Sequence, residues 1–398
     1  MTSSPAPAGY APSYSWIGAP TQWNGTNPLT GGDSCKKHPT KLPAYPLTIK
    51  LATENLNQWF APGDQAYILV ASAMVVVMIP GLGFLYSGLA RRKSALTMIW
   101  VCMASFSVIT FQWYLWGYSL AFSAQGTSGF IGDLNHFGLI NTLGLPVLSA
   151  PLIPELLYSF YQVNCPSLLS IFLGADQYLQ LQFCATTAAI VAGAVAERGR
   201  VLPFMVFIFC WATLVYCPIA CWAWNSNGWA FKYGVMDYAG GGPVEIASGM
   251  SALAYSLVLG KRQEKMMANF RPHNVSLIVL GTTFLWFGWL GFNGGSAFGA
   301  NLRAVQACWN TNLCAMFAAA SWTILDWRLA RKWSMVGWCS GAISGLVAAT
   351  PASGFCTAWG SVILGVVSGI VCNYSTKGNY APPYPIQSPQ PKLRLLKS

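Results

Sequence analysis

Three stretches of this chain run without a charged side chain for 26 residues between Asp64 and Arg91, 39 between Lys93 and Asp133, and 44 between Lys332 and Lys377. A helix crosses the hydrocarbon core of a bilayer in about 20 residues, so the last run has room for two spans, hinged at TPASG (Thr350 to Gly354). The runs are continuously apolar and do not alternate, which favours helices over a β-barrel, and a helix satisfies its own backbone hydrogen bonds in lipid. Only 8% of the residues are charged, against about 25% in soluble domains. These features predict an all-α, polytopic membrane helix bundle. Nine helices are expected, near residues 66–89, 95–122, 181–196, 201–224, 242–260, 275–299, 304–325, 334–350 and 356–373.

The net charge of +11 does not point to nucleic acid, because the basic residues mark one face of a membrane. Clusters at Arg91 to Lys93, Arg198 and Arg200, Lys261 to Arg271, Arg328 to Lys332, and Lys377 to Lys397 fall in every second connection and in the tail. The alternate side carries only Lys232, Arg303 and the lysines of the N-terminal arm. By the positive-inside rule the N-terminus is expected outside and the C-terminus in the cytoplasm, as an odd number of crossings allows.

Residues 1–62 read as a polar extracellular arm rich in Pro, Gly, Ser and Thr. No basic segment followed by an apolar one marks a cleavable signal peptide, so the first crossing is expected to serve as the insertion signal. Glycosylation sequons occur at Asn24, Asn274 and Asn373, and the expected topology exposes only Asn24. The 12 cysteines form no CxxC pairs and have no histidines nearby, so they read as packing residues and not as metal ligands or disulfides. His38, His136 and His273 lie in the arm or in connections, and no phosphate loop or Ser/His/Asp set is present. Neither an enzyme nor a bound metal or cofactor is expected.

One segment interrupts the apolar pattern: DYAGGGPVE, Asp237 to Glu245, sets the carboxylate of Glu245 inside a crossing. A charged group at the bilayer centre costs about 2.5–3.5 kcal/mol on insertion scales, so one that persists tends to line a pathway or hold a partner. The alternative is a carboxylate near the helix end that reaches interfacial water. Asp237 falls at the expected extracellular start of that helix, where an acid caps free N–H groups, and Gly240, Gly241 and Gly242 permit close backbone approach or ordinary tight helix packing.

Several strings then point one way: PGLGFLYSGLARRKSA (80–95), FQWYLWGYSLAFS (111–123), FIGDLNHFGL (130–139), AERGR (196–200), YCPIACWAWN (216–225), DYAGGGPVEIASG (237–249), FNGGS (292–296) and SGAISGLVAATPASG (340–354). In this order, over most of residues 60–375, the chain resembles the ammonium transporter family (Amt, Mep and Rh proteins), and especially its fungal Mep branch. The resemblance implies an eleven-helix fold in the plasma membrane, a homotrimer or a heterotrimer with related subunits, and a narrow pore through each subunit that takes up ammonium, with methylammonium as an analogue. It also implies residue roles. Phe183 and Trp224 match the outer aromatic pair that recruits the cation, Ser296 the outer hydroxyl, and Phe292 the second phenylalanine at the gate. Asp237 matches a structural and electrostatic support, and Glu245 stands where most of the family has the first of two pore histidines; a carboxylate there can also accept and release a proton. The competing expectation is a non-conducting sensor or regulatory subunit.

Two departures from the family are visible. After Thr376 the chain becomes a Pro-rich basic tail, residues 376–398, which cannot span a bilayer, so the tenth and eleventh helices and the second histidine are expected to be missing. Within the transmembrane domain, 63–375, the residues VNCPSLLSIFLGADQYLQ (163–180) separate Tyr161 and Gln162 from Leu181, Gln182 and Phe183. Removing them restores a continuous motif. Because valine codons begin GT and a glutamine codon can end in AG, a retained in-frame intron is expected.

Overall fold

The computed structural model describes residues 13–14, 20–21, 60–123, 126–140, 142, 146–147, 150–161, 182–260 and 271–378. Two short antiparallel pairs occur, β1 (Ser13–Tyr14) with β2 (Pro20–Thr21) and β3 (Pro146–Val147) with β4 (Ala150–Pro154). The helices in chain order are α1 (Pro62–Leu89), α2 (Arg92–Phe122), α3 (Glu155–Tyr161), α4 (Phe183–Val195), α5 (Val201–Lys232), α6 (Gly241–Leu259), α7 (Val275–Gly295), α8 (Leu302–Ala330), α9 (Met335–Ala349) and α10 (Ala358–Gly378). Among the described residues, each segment where hydropathy predicts a crossing holds a helix. Six of them, α1, α2, α5, α6, α7 and α10, are long and apolar enough to cross a membrane. The other three differ from the expectation of nine for physical reasons: α4 and α9 are shorter, and α8 carries the polar side chains Gln306, Asn310, Thr311 and Asn312 within its span, which lower its hydropathy. The short helix α3 and the strands have no counterpart in the sequence expectation.

Local chemistry sets the helix ends and breaks. Asn274, Asn301 and Ser334 each accept a backbone N–H of the first turn, capping α7, α8 and α9. Helix α8 runs past the expected boundary at 325 because Asp326 stays inside, accepting from the Asn373 amide at 2.9 Å. Two sequon asparagines, Asn274 and Asn373, are therefore structural, while Asn24 lies outside the described residues. Pro80 lacks the N–H that would bond Val76, and α1 breaks there, at Val77. Pro218 and Pro243 accompany wide π-helical turns at Ala212–Tyr216 and Gly241–Ile246.

Small residues bring the helices to near backbone contact, as expected where lipid offers no hydrophobic driving force between them. A Cβ on Gly281 of α7 would lie 2.5 Å from the Leu85 nitrogen and 2.6 Å from the Gly81 carbonyl of α1. On the expected cytoplasmic side, the AERGR turn is tied to the turn after α1. Glu197, at φ 66°, accepts from the Arg91 backbone N–H at 3.0 Å and from its guanidinium at 2.8 and 3.2 Å. The expected insertion at 163–180, residues 379–398, and the basic residues Lys261, Arg262 and Lys265 lie outside the described residues.

Candidate functional site

Helix α6 starts from a backbone that its sequence makes possible. Gly240 sits at φ 111°, a region L side chains rarely enter, and a Cβ there would come within 2.6 Å of Val244. This bend aims the next N–H groups at one carboxylate. Asp237 accepts from Gly240 at 2.8 Å, Gly241 at 2.6 Å and Gly242 at 2.7 Å. Its charge is thereby engaged by the positive end of α6 and is not offered to a ligand.

Beside this cap lies a cavity of about 300 Å³ whose lining includes Trp224 from α5, Asp237, Ser296 after α7, Tyr158 from α3, Phe298 and Phe355. One face of the Trp224 indole is stacked on Phe122 with centroids 6.3 Å apart, and its N–H donates to the Asp237 carbonyl at 3.3 Å. The ring is thus held from behind while it borders the cavity. Ser296 is buried, with a hydroxyl that donates to the Phe292 carbonyl at 2.9 Å, leaving lone pairs to accept from a guest.

Phe183 and Phe292 are fully buried and stacked, with centroids 3.9 Å apart and ring planes 23° apart. The pair expected to face each other across a cation, Phe183 and Trp224, meets edge to face instead, at 6.1 Å and 87°. The stack on Phe292 fixes the Phe183 plane and so sets this angle. At 3.9 Å two rings are in van der Waals contact, and nothing can pass between them without rotation.

Polar groups connect the stack towards the carboxylate. The Trp289 ring lies 5.8 Å from Phe292, its N–H donates to the Thr350 hydroxyl at 2.9 Å, and Thr350 neighbours Glu245. Glu245 lies in the π turn of α6 and is partly buried, but its Oε1 is enclosed and has no hydrogen-bond partner among the described residues. An enclosed, unpaired carboxyl oxygen is costly to the fold.

The sequence singled out no other wall residue, for with 18 Trp, 17 Tyr and 21 Phe, aromatic identity carries little information. Tyr158 and Phe298 pack at 5.0 Å, Phe355 meets Tyr238 at 5.4 Å, and the Arg303 guanidinium lies 5.8 Å above the Phe355 ring. His136 does have an acidic neighbour, Glu155, with Nε2 4.0 Å from Oε2. Burial pushes the Glu155 carboxyl up to about 8. No group of three or more metal-ligating side chains occurs among the described residues. Taken together, the arrangement offers a small cation that donates N–H bonds a ring face and a hydroxyl acceptor, beside a pair of stacked rings and an enclosed carboxyl.

The family model described as the Ammonium Transporter Family matches residues 66–382. The chain belongs to the ammonium transporter family. It is 49% identical to "Ammonium transporter 2" of Schizosaccharomyces pombe over 325 residues, covering 81% of this chain and 60% of that protein. With "Ammonium transporter MEP1" of Saccharomyces cerevisiae it shares 51% identity over 316 residues, 79% of this chain and 60% of the relative. The chain therefore spans about 60% of the length of these curated relatives. Among solved structures, Saccharomyces cerevisiae Mep2 superposes with a TM-score of 0.73 at 46% identity, covering 82% of this chain and 71% of the other. A "Sensor Amt Protein" is more distant, at 26% identity and a TM-score of 0.68, covering 79% of this chain and 74% of that one. Phe183, Trp224, Glu245 and Phe292 come from α4, α5, α6 and α7, and Ser296 follows α7; of these five, Trp224 and Ser296 line the cavity, and Phe183 and Phe292 pack against that wall through ring contacts.

Proposed function

We propose that this chain is an ammonium transporter subunit in which the Trp224 face and the Ser296 hydroxyl collect the cation, the Phe183 and Phe292 stack gates it, and Glu245 takes up its proton. Ammonium and potassium have similar charge and size, so a selective path must use the feature that only ammonium has, a transferable proton. Cation–π attraction is worth about 0.5–2 kcal/mol, rising with desolvation, and one hydroxyl cannot replace a potassium ion's hydration shell. The observation that carries this reading is that Trp224 and Ser296 line one cavity, that Phe183 meets Trp224 and stacks on Phe292 beside it, and that Glu245 holds an enclosed carboxyl oxygen nearby in α6. Plasma-membrane residence, an outside N-terminus and a trimer accord with the basic clusters and with the family. The sensor reading is not favoured, because relatives near 50% identity are named transporters and the sensor protein stands at 26%.

The test is methylammonium uptake by cells that lack their own ammonium transporters, paired with flux into liposomes containing the purified chain. Uptake in both supports transport. Binding without flux would favour the sensor or regulatory role, and absence of both binding and flux overturns the reading.

A further inference from the structure

The last turn of α7 holds two of the residues discussed above, and its hydrogen bonds are completed from outside the helix. The Ser296 N–H turns to the Asn293 carbonyl at 3.3 Å, which leaves the Phe292 carbonyl without its helical donor. Two hydroxyls fill that vacancy. Ser296 donates to the Phe292 carbonyl at 2.9 Å, and the Tyr161 hydroxyl reaches it from α3 while also lying 2.8 Å from the Gly291 carbonyl. The two hydroxyl oxygens are 3.4 Å apart. Tyr161 is fully buried, and its ring occupies the space a side chain on Gly295 would need, since a Cβ there would lie 2.3 Å from the ring.

Each hydroxyl has one proton to give. With the Gly291 and Phe292 carbonyls as acceptors, both protons are spent inside the protein, and the Ser296 oxygen is left with lone pairs alone towards the cavity. The Tyr161 ring also meets Phe183 at 5.3 Å. A single side chain thus touches Phe183, the Phe292 backbone and Ser296, and nothing in the family resemblance drawn from the sequence assigned it a part.

We propose that Tyr161 is a positioning residue for cation recognition: its hydroxyl anchors the last turn of α7 and holds Ser296 as a pure acceptor for a guest that donates N–H bonds. This rests on the reading above that Trp224 and Ser296 form a cation-collecting vestibule, and the experiment separates the two.

Methylammonium binding to the purified full chain is measured by calorimetry for wild type, Tyr161→Phe, Ser296→Ala and the double variant, with a thermal melt for each. Tyr161→Phe keeps the ring and its contact with Phe183. The expected result is binding weakened about three- to tenfold, the range of one lost neutral hydrogen bond, with no further loss when Tyr161→Phe is added to Ser296→Ala. A purely structural tyrosine would give losses that simply add, and additivity, or wild-type affinity in Tyr161→Phe, overturns the proposal. If Tyr161→Phe does not yield folded protein, Gly295→Ala displaces the ring by another route and must show the same dependence on Ser296. A wild-type chain that does not bind methylammonium overturns the vestibule reading itself, and the Tyr161 proposal with it.

Discussion

Tyr161 and Phe183 are 22 positions apart in the chain, yet their rings meet edge to face with centroids 5.3 Å apart. Without residues 163–180 the two would stand four positions apart, and side chains at i and i+4 of one helix are neighbours. The contact is the one that side chains four apart on an uninterrupted helix would make.

Deleting Val163 to Gln180 is therefore expected to leave the bundle intact. Shortening a connection costs nothing in loop closure and returns a fraction of a kcal/mol. The deletion variant should melt within a few degrees of the parent and keep its methylammonium affinity. A variant that no longer folds would show that the segment belongs to the architecture, and a transcript that retains it after splicing would remove the intron explanation.

Glu245→Leu is expected to separate stability from function. Removing a carboxyl with an unpartnered, enclosed oxygen should stabilise the chain by about 1–2 kcal/mol. Proton-linked methylammonium flux should disappear while binding at the cavity persists. A higher melting temperature with undiminished uptake would mean that Glu245 is not a relay.

Trp224→Leu keeps an apolar side chain at the cavity wall but removes the ring face. A desolvated cation–π contact is worth about 1–2 kcal/mol, so methylammonium should bind about tenfold more weakly with little change in melting temperature. Equal affinity would place the cation elsewhere.

Asp237→Ala strips three acceptor contacts from the start of α6. Charge-assisted bonds of this kind support a loss of about 2–3 kcal/mol, read as a fall in melting temperature. Asp237→Asn, which keeps one acceptor oxygen, should recover part of it.

Stability should also fall with pH on account of Glu155. Its carboxyl is pushed from 4.5 to about 8 by burial, so between those values the folded chain holds a proton that the unfolded chain has released. The contribution is complete below about pH 4.5 and is lost as pH rises through about 8. Melting temperatures recorded across this window should decline, and Glu155→Gln should flatten the curve. An unchanged slope in that variant would assign the decline to another group.

Much of the architecture was legible because lipid imposes a rule that sequence obeys openly: each crossing must be a long apolar helix. The runs before Arg91 and after Lys332 gave helices where they were expected. Boundaries were less legible where polar residues find partners inside, as Asp326 does with Asn373, since pairing hides a charge that sequence alone would count as an end. The site residues were legible only through ordered motifs, and even these did not reveal that Phe183 stacks on Phe292 and turns its edge to Trp224.

By itself the sequence determined a membrane helix bundle, its family, and the placing of a carboxylate within an apolar span, because these depend on composition and order along one dimension. The tertiary structure decided which rings face one another, that the Asp237 charge is consumed by backbone N–H groups, and that Tyr161 completes the end of α7. Those outcomes follow from angles and distances between helices that meet only after packing, and no local pattern encodes them.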